Sequence, residues 1–217
     1  MNVNTMLSKK EIIALLKKKN YDSLTASSND ASKVIRVLIS LSYDKDDVIS
    51  WRAMEAIGLL TSKISPADPD LVRNIVNRLL WMIRDESGGI GWSVPEILGE
   101  IVRNNPGLCA DIAPIIASFH EELMLTAGVL RAVGRIGRLD NYFLDHATPI
   151  VLSYLGANKP LLRGCAAWAA GELRVSGAVD ALEQLRNDAA ALPFYEGGEL
   201  HEKTVGELAA EALRKLQ

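Results

Sequence analysis

Two sets of mostly charged residues recur at similar intervals along the chain and could share a surface. The first comprises Glu55, Glu96, Arg131, Trp168 and Glu211; the second, four positions further on in each case, comprises Leu59, Glu100, Arg135, Glu172 and Lys215. A spacing of four places the two members of each pair one above the other on a helix face. If successive helices stack about one diameter apart, roughly 10 Å, Glu96 can face Arg131 and Glu100 can face Arg135. Such ladders either hold neighbouring elements in register as half-exposed ion pairs or present a charged strip to a polar ligand or a partner's peptide. Trp168 has an outward phase and lies near Arg163, which makes it the expected aromatic anchor, whereas Trp51, Trp81 and Trp92 are assigned to core packing. The expected partner-contact set is Glu55, Glu96, Glu100, Arg131, Arg135, Arg163, Trp168 and Glu172.

The stretch from Arg84 to Trp92 is the most irregular in the chain, and Gly88, Gly89, Gly91 and Trp92 form a candidate loop site. Its glycines permit close backbone approach to an anion at the following helix N-terminus. Asp85, Glu86, Glu96 and Glu100 oppose that use, and no Gly-Lys-Ser/Thr completes a phosphate loop. A tight turn that swings Trp92 beneath the next element, or a partner-recognition loop, fits the residues better. Catalytic signatures are weak. His120, His146 and His201 are scattered without metal-binding spacing, and neither a Gly-x-Ser-x-Gly elbow nor a dinucleotide fingerprint occurs. Cys109 and Cys165 fit no zinc or disulfide framework and read as thiols of a reducing, cytoplasmic compartment. Cys165 takes an outward phase near Arg163, which could depress its pKa; an inert, partly exposed thiol is the plainer reading. No catalytic residue, metal or cofactor is expected.

The elements that must carry these residues repeat. Trp51–Gly58, Trp92–Gly99, Ala127–Gly134 and Gly164–Gly171 superimpose on a glycine, and Glu207–Arg214 keeps the pattern with Arg214 in the glycine's place. An interior helical glycine costs about 1 kcal/mol relative to alanine, so four at one phase point to close approach of a neighbouring helix. Between these segments lie others with apolar stripes of their own: Val34–Leu41, Leu71–Ile83, Ile112–Phe119, Pro149–Leu155 and Ala178–Leu185. Capping boxes are expected at Ser8/Glu11, Ser93/Glu96 and Thr204/Glu207, and first-turn prolines at Pro69 and Pro149. The one strand signal is Pro193–His201, where Glu196-Gly-Gly-Glu199 could turn a hairpin or a loop. The 217 residues are 48% hydrophobic, with 24 basic against 27 acidic residues and a net charge of −3, which argues against disorder and against a generally basic nucleic-acid binder. No apolar run approaches the ~20 residues that span a bilayer. The lysine-rich helix from Ser8 to Lys19 caps an open end of the array, or lies on a membrane or nucleic acid.

Helix pairs of this length with a small-residue anchor on the second member resemble HEAT repeats, and Gly164–Leu173 is similar to the HEAT-like repeats of phycobilisome lyases. The resemblance runs from about Lys33 to Gln217. It implies an all-α superhelix of about five helical hairpins, a curved right-handed solenoid whose second helices line the concave face. The expected organisation is a single domain over 1–217, with residues 1–32 as the N-terminal cap and 33–217 as the stacked repeats. A non-enzymatic protein-binding or scaffold module follows from extended concave surfaces of this kind. Two alternatives come from fold analogy: a HEAT-like alkylpurine DNA glycosylase, although no aspartate lies on the expected concave columns, and a chromophore-lyase subunit.

Overall fold

The computed structural model describes residues 7–26, 31–84 and 91–217. Helix α1 (Lys9–Lys17) and helix α2 (Tyr21–Ala26) precede five hairpins. These pair α3 (Ala31–Leu41) with α4 (Val48–Ile64), and α5 (Pro69–Arg84) with α6 (Val94–Asn104). The third hairpin has a broken first arm, α7 (Pro106–Cys109) and α8 (Ala113–Ser118) about a 3-10 turn, before α9 (Thr126–Ile136). Helix α10 (Asn141–Tyr154) then pairs with α11 (Pro160–Leu173), and α12 (Val179–Leu185) with α13 (Val205–Leu216). The second helices stack in chain order, α4 on α6, α6 on α9, α9 on α11 and α11 on α13, with the first helices backing them. The chain is an all-α solenoid.

The repeated glycines explain the stacking distance. A Cβ on Gly58 would stand 2.7 Å from the carbonyl oxygen of Glu100, on Gly99 2.8 Å from Cα of Ala132, and on Gly171 2.7 Å from Cα of Ala212; on Gly134 it would enter the Trp168 ring. Each glycine therefore meets the next second helix: at Gly58, Gly99 and Gly171 backbone approaches backbone because nothing larger than hydrogen intervenes, and at Gly134 the space is taken by the Trp168 ring. Arg214, at the fifth position, is exposed. Apolar stripes close the space between layers: Ala53, Ile57 and Leu60 of α4, Val129, Leu130 and Val133 of α9, and Ala166, Ala169 and Ala170 of α11 are all inaccessible to solvent. Helix α1 contributes Ile12 and Leu16, both fully buried, against α3 and α4.

Two of the expected capping boxes form, at Ser8/Glu11 and Thr204/Glu207. The third does not. Ser93 has φ −103° and ψ 3°, outside the extended region an N-cap needs, and its hydroxyl makes no cap bond. The Glu96 carboxylate that should complete the box turns instead to Lys45, 2.5 Å away. Pro69 opens α5 as expected, with Asp68 accepting from the Leu71 amide. Pro149 lies inside α10, which begins earlier with Asp140 accepting from the Phe143 amide at 2.7 Å. Both Pro149 and Asp145, whose carbonyl loses its helical donor, are exposed, so water can replace the missing bond.

The hairpin signal is real. Strands β1 (Ala191–Glu196) and β2 (Glu199–Thr204) pair antiparallel, Glu196 opposite Glu199. Gly197 and Gly198 turn them with φ of +59° and +80°, the two positive values that a tight two-residue turn demands. This hairpin, inserted between α12 and α13, is what shapes the inner face.

Candidate functional site

The hairpin lies across the face made by the second helices and reaches back to the first repeat. Phe194 packs edge-on to Trp168 of α11, ring centroids 5.5 Å apart. Tyr195 stacks on Trp51 of α4 at 5.5 Å with 13° between ring planes. At the tip, the Gly198 carbonyl accepts from Arg52 at 2.8 Å, and Glu199 bridges Arg52 at 2.8 Å and Lys19 at 2.6 Å. On the second strand, Lys203 joins Glu196 and Glu211, which holds the Glu196 carboxyl below its ordinary pKa through the Lys203 hydrogen bond.

Arg131 is the pin at the centre. Its Nη2 donates to the Tyr195 carbonyl at 2.6 Å, and its guanidinium lies 4.1 Å from the Phe194 ring centroid, 4.6 Å from Trp168 and 5.2 Å from Trp51. A cation in such an aromatic cage is held by the ring quadrupoles as well as by its hydrogen bond. Only 5% of Arg131 is exposed, and burial pulls its pKa down. Among the described residues its Nε and Nη1 have no hydrogen-bond partner.

Between the hairpin and helices α4, α6, α9 and α11 remains a cavity of about 350 Å³. Lys45, Asp46, Glu96, Arg131 and Cys165 bring polar side chains to its lining, while Trp51, Pro193 and Tyr195 give it flat apolar surface. Tyr43, Trp92, Met124 and Leu161 also line it and are all exposed, Trp92 by 56% and Met124 by 62%. Glu96 is 5% exposed; its Oε1 takes the Lys45 ammonium, and among the described residues its Oε2 has no hydrogen-bond partner. The carboxylate packs against Gly128, where a Cβ would come within 2.5 Å of Oε2.

The expected contact residues therefore separate. Glu96, Arg131 and Trp92 meet at the cavity. Glu100 and Arg135 form the anticipated pair, with Nη2 to Oε2 at 3.0 Å and Nε to Oε1 at 2.5 Å, and the pair lies beside the cavity rather than in it. Glu96 and Arg131 make no hydrogen bond to each other; Lys45 and Tyr195 take those places. Glu55 accepts from the hydroxyls of Tyr21 at 2.9 Å and Tyr195 at 2.7 Å. Glu172 pairs with Lys215, and Arg163 with Asp188 at 2.6 Å, where it also ties down the Ala157 and Asn158 carbonyls.

Three of the four tryptophans reverse their expected roles, while half-buried Trp51 packs against the core. Trp168 keeps its outward phase, but the hairpin roofs it, leaving 6% exposed. Trp92 precedes α6, where helical phase does not apply, and Trp81 lies off the buried stripe Val72, Val76, Leu79 and Leu80; both are exposed. The outward thiol is corrected too. Cys165 is 1% exposed, and burial pushes its pKa up to about 11, with Arg131 rather than Arg163 as the opposing cation. In the loop candidate, Gly91 is buried against the Met82 carbonyl, whereas Gly88 and Gly89 lie outside the described residues. Sequence periodicity missed Tyr43, Lys45, Met124 and Leu161, which come from turns and helix starts; Tyr195 was reachable only through the hairpin signal. No described helix is long and apolar enough to cross a membrane.

A crystal structure of the archaeal HEAT-like repeats protein from Thermococcus onnurineus NA1 is similar at 14% identity, over 98% of this chain and 81% of that one, with a TM-score of 0.39. No family model matches the sequence, and no curated protein matches it.

Proposed function

We propose that this solenoid is a non-enzymatic recognition module, and that its binding site is the cavity beside the hairpin rather than a broad concave strip. The supporting observation is the contrast between mouth and interior. Exposed Trp92 and Met124 stand at a cavity whose lining also includes the buried, oppositely charged side chains of Glu96 and Arg131. Apolar rims with a few convergent polar groups inside are the usual anatomy of a site that takes one inserted group. A protein partner docks on the rim and inserts a side chain. Recovery of partners from native extract, compared for the unaltered protein, Trp92→Ala and Trp81→Ala, tests this. Loss with Trp92→Ala alone supports the reading, and equal recovery with all three removes the cavity from it.

A second reading, a HEAT-like DNA glycosylase, gains one observation. Glu96 places a buried carboxylate on the inner face, where the expected columns carry no aspartate, and lines the cavity together with Asp46, Arg131, Trp51 and Trp92. A carboxylate so placed could stabilise the cationic sugar that develops as an alkylated base departs, by electrostatics alone. The net charge of −3 is unfavourable for holding a phosphate backbone. Release of N7-methylguanine from alkylated DNA, abolished by Glu96→Gln, would establish this reading; no release at low salt would dismiss it.

A further inference from the structure

We infer that the cavity receives a large uncharged side chain, an aromatic, leucine or methionine, from a protein segment in which basic residues flank that anchor. This names the partner chemistry of the site proposed above and rests on that reading.

The interior decides what can be inserted. Glu96 and Lys45 satisfy one another at 2.5 Å, and the Lys45 ammonium also donates to the Trp92 carbonyl at 2.9 Å. Arg131 donates to the Tyr195 carbonyl and is closed in by the rings of Trp51, Trp168 and Phe194. The remaining atoms of this buried pair, Oε2 of Glu96 and Nε and Nη1 of Arg131, each have less than 1 Å² of accessible surface, so an inserted group cannot reach them. A polar or charged insert would give up its water and find no interior group in exchange, which is costly. The buried charges carry both signs, so neither sign of insert gains from them. An apolar insert loses no hydrogen bond and covers Trp92, Met124 and Leu161, all exposed at the lining. About 350 Å³ lies at the lower end of the range for ligand sites, room for one large side chain rather than an extended ligand.

The rim decides what surrounds the insert. Tyr43, Trp92 and Met124 are of the types enriched where proteins meet. Asp46 lines the cavity and is exposed; Asp44, next to Tyr43, and Glu122, two positions before Met124, are exposed as well. None of these three carboxylates joins an ion pair among the described residues, whereas Lys45 is taken by Glu96. The opposing charge is Lys159, exposed two positions before Leu161. Carboxylates therefore outnumber cations among the exposed charges beside the lining, and a segment with lysine or arginine next to its anchor complements them.

The test selects a phage-displayed library of random peptides on the immobilised full chain and then measures a synthetic peptide of the recovered consensus by calorimetry. The consensus should contain a tryptophan, phenylalanine, leucine or methionine with lysine or arginine close beside it. Serine in place of the anchor should weaken binding at least about tenfold, and glutamate in place of the basic neighbours should weaken it several-fold and remove its salt dependence. On the protein, Trp92→Ala should weaken the consensus peptide at least about tenfold, with folding checked by circular dichroism. Asp46→Lys, at an exposed position, should reduce the preference for basic over acidic neighbours. A consensus without a large apolar residue, a preference for acidic neighbours, or equal binding to Trp92→Ala overturns the inference, as does a selection that enriches no sequence. Recovery of native partners with Trp92→Ala and Trp81→Ala judges the cavity separately: Trp92-dependent recovery beside a failed consensus keeps the site and discards its partner chemistry.

Discussion

The Tyr195 hydroxyl donates a 2.7 Å hydrogen bond to Glu55, joining residues 140 positions apart and tying the hairpin to the first repeat. Tyr21 donates to the same carboxylate oxygen. Burial first, and the Glu55 charge second, push both phenols above their ordinary value of 10.0. A folded-state pKa above the unfolded one means that the native chain keeps protons the unfolded chain has lost at high pH. The stability this contributes is therefore complete below pH 10 and falls as pH rises beyond it. Urea midpoints measured from pH 8 to pH 11 should decline above pH 10. Tyr195→Phe should flatten that decline and, at pH 8, cost about 1.5–3 kcal/mol, the range for a hydrogen bond to a charged group.

Gly134 tests whether stacking depends on the absent side chain. Its Cβ would enter the Trp168 ring, which is buried beneath Phe194 and cannot swing aside. Gly134→Ala should destabilise by about 1–3 kcal/mol through overpacking, despite the better helix propensity of alanine. Gly107, with nothing within 4 Å of the corresponding position, provides the control. Gly107→Ala should leave the thermal midpoint within a few degrees of the parent, so equal losses for the two variants would refute the close-approach account.

These glycines also show why the architecture was legible and the site was only half so. Gly58, Gly99, Gly134 and Gly171 report a local requirement repeated four times, and periodicity exposes such a requirement directly. The Glu100–Arg135 pair followed from the same arithmetic because both residues belong to adjacent stacked helices. Glu96 and Arg131 escaped it because each found a partner outside the stack, Lys45 in a turn and Tyr195 in the hairpin. Pattern along α9 and α11 marks a face as outward; it carries no information that a distant segment folds back over that face. The burial of Trp168 and Cys165 is the consequence.

Cys165 converts that burial into a rate. With a pKa of about 11 against an ordinary 9.0, its thiolate fraction at pH 8 is about one in a thousand rather than one in ten, and alkylation proceeds through the thiolate. Iodoacetamide should modify Cys165 in the native protein at least ~100-fold more slowly than a free thiol, since poor access adds to the low thiolate fraction. In denaturant both Cys165 and Cys109 should react at ordinary rates. Rapid native labelling at Cys165, located by mass spectrometry, would contradict the roof that the hairpin places over α11.

The same roof ranks the tryptophans. Trp168 is 6% exposed and touches Phe194, the Arg131 guanidinium and the Gly134 position. Trp168→Ala should therefore cost about 3–5 kcal/mol, the range for removing a large buried aromatic. Trp81 and Trp92 are 64% and 56% exposed, and substitution of either by alanine should change stability by no more than about 0.5 kcal/mol, as for ordinary surface positions. Denaturant midpoints for the three variants decide the matter. A small effect at Trp168 would mean that the hairpin does not seal the inner face in solution. A large effect at Trp92 would mean that its ring is packed in the interior, and it would then no longer serve as the exposed mouth of the cavity.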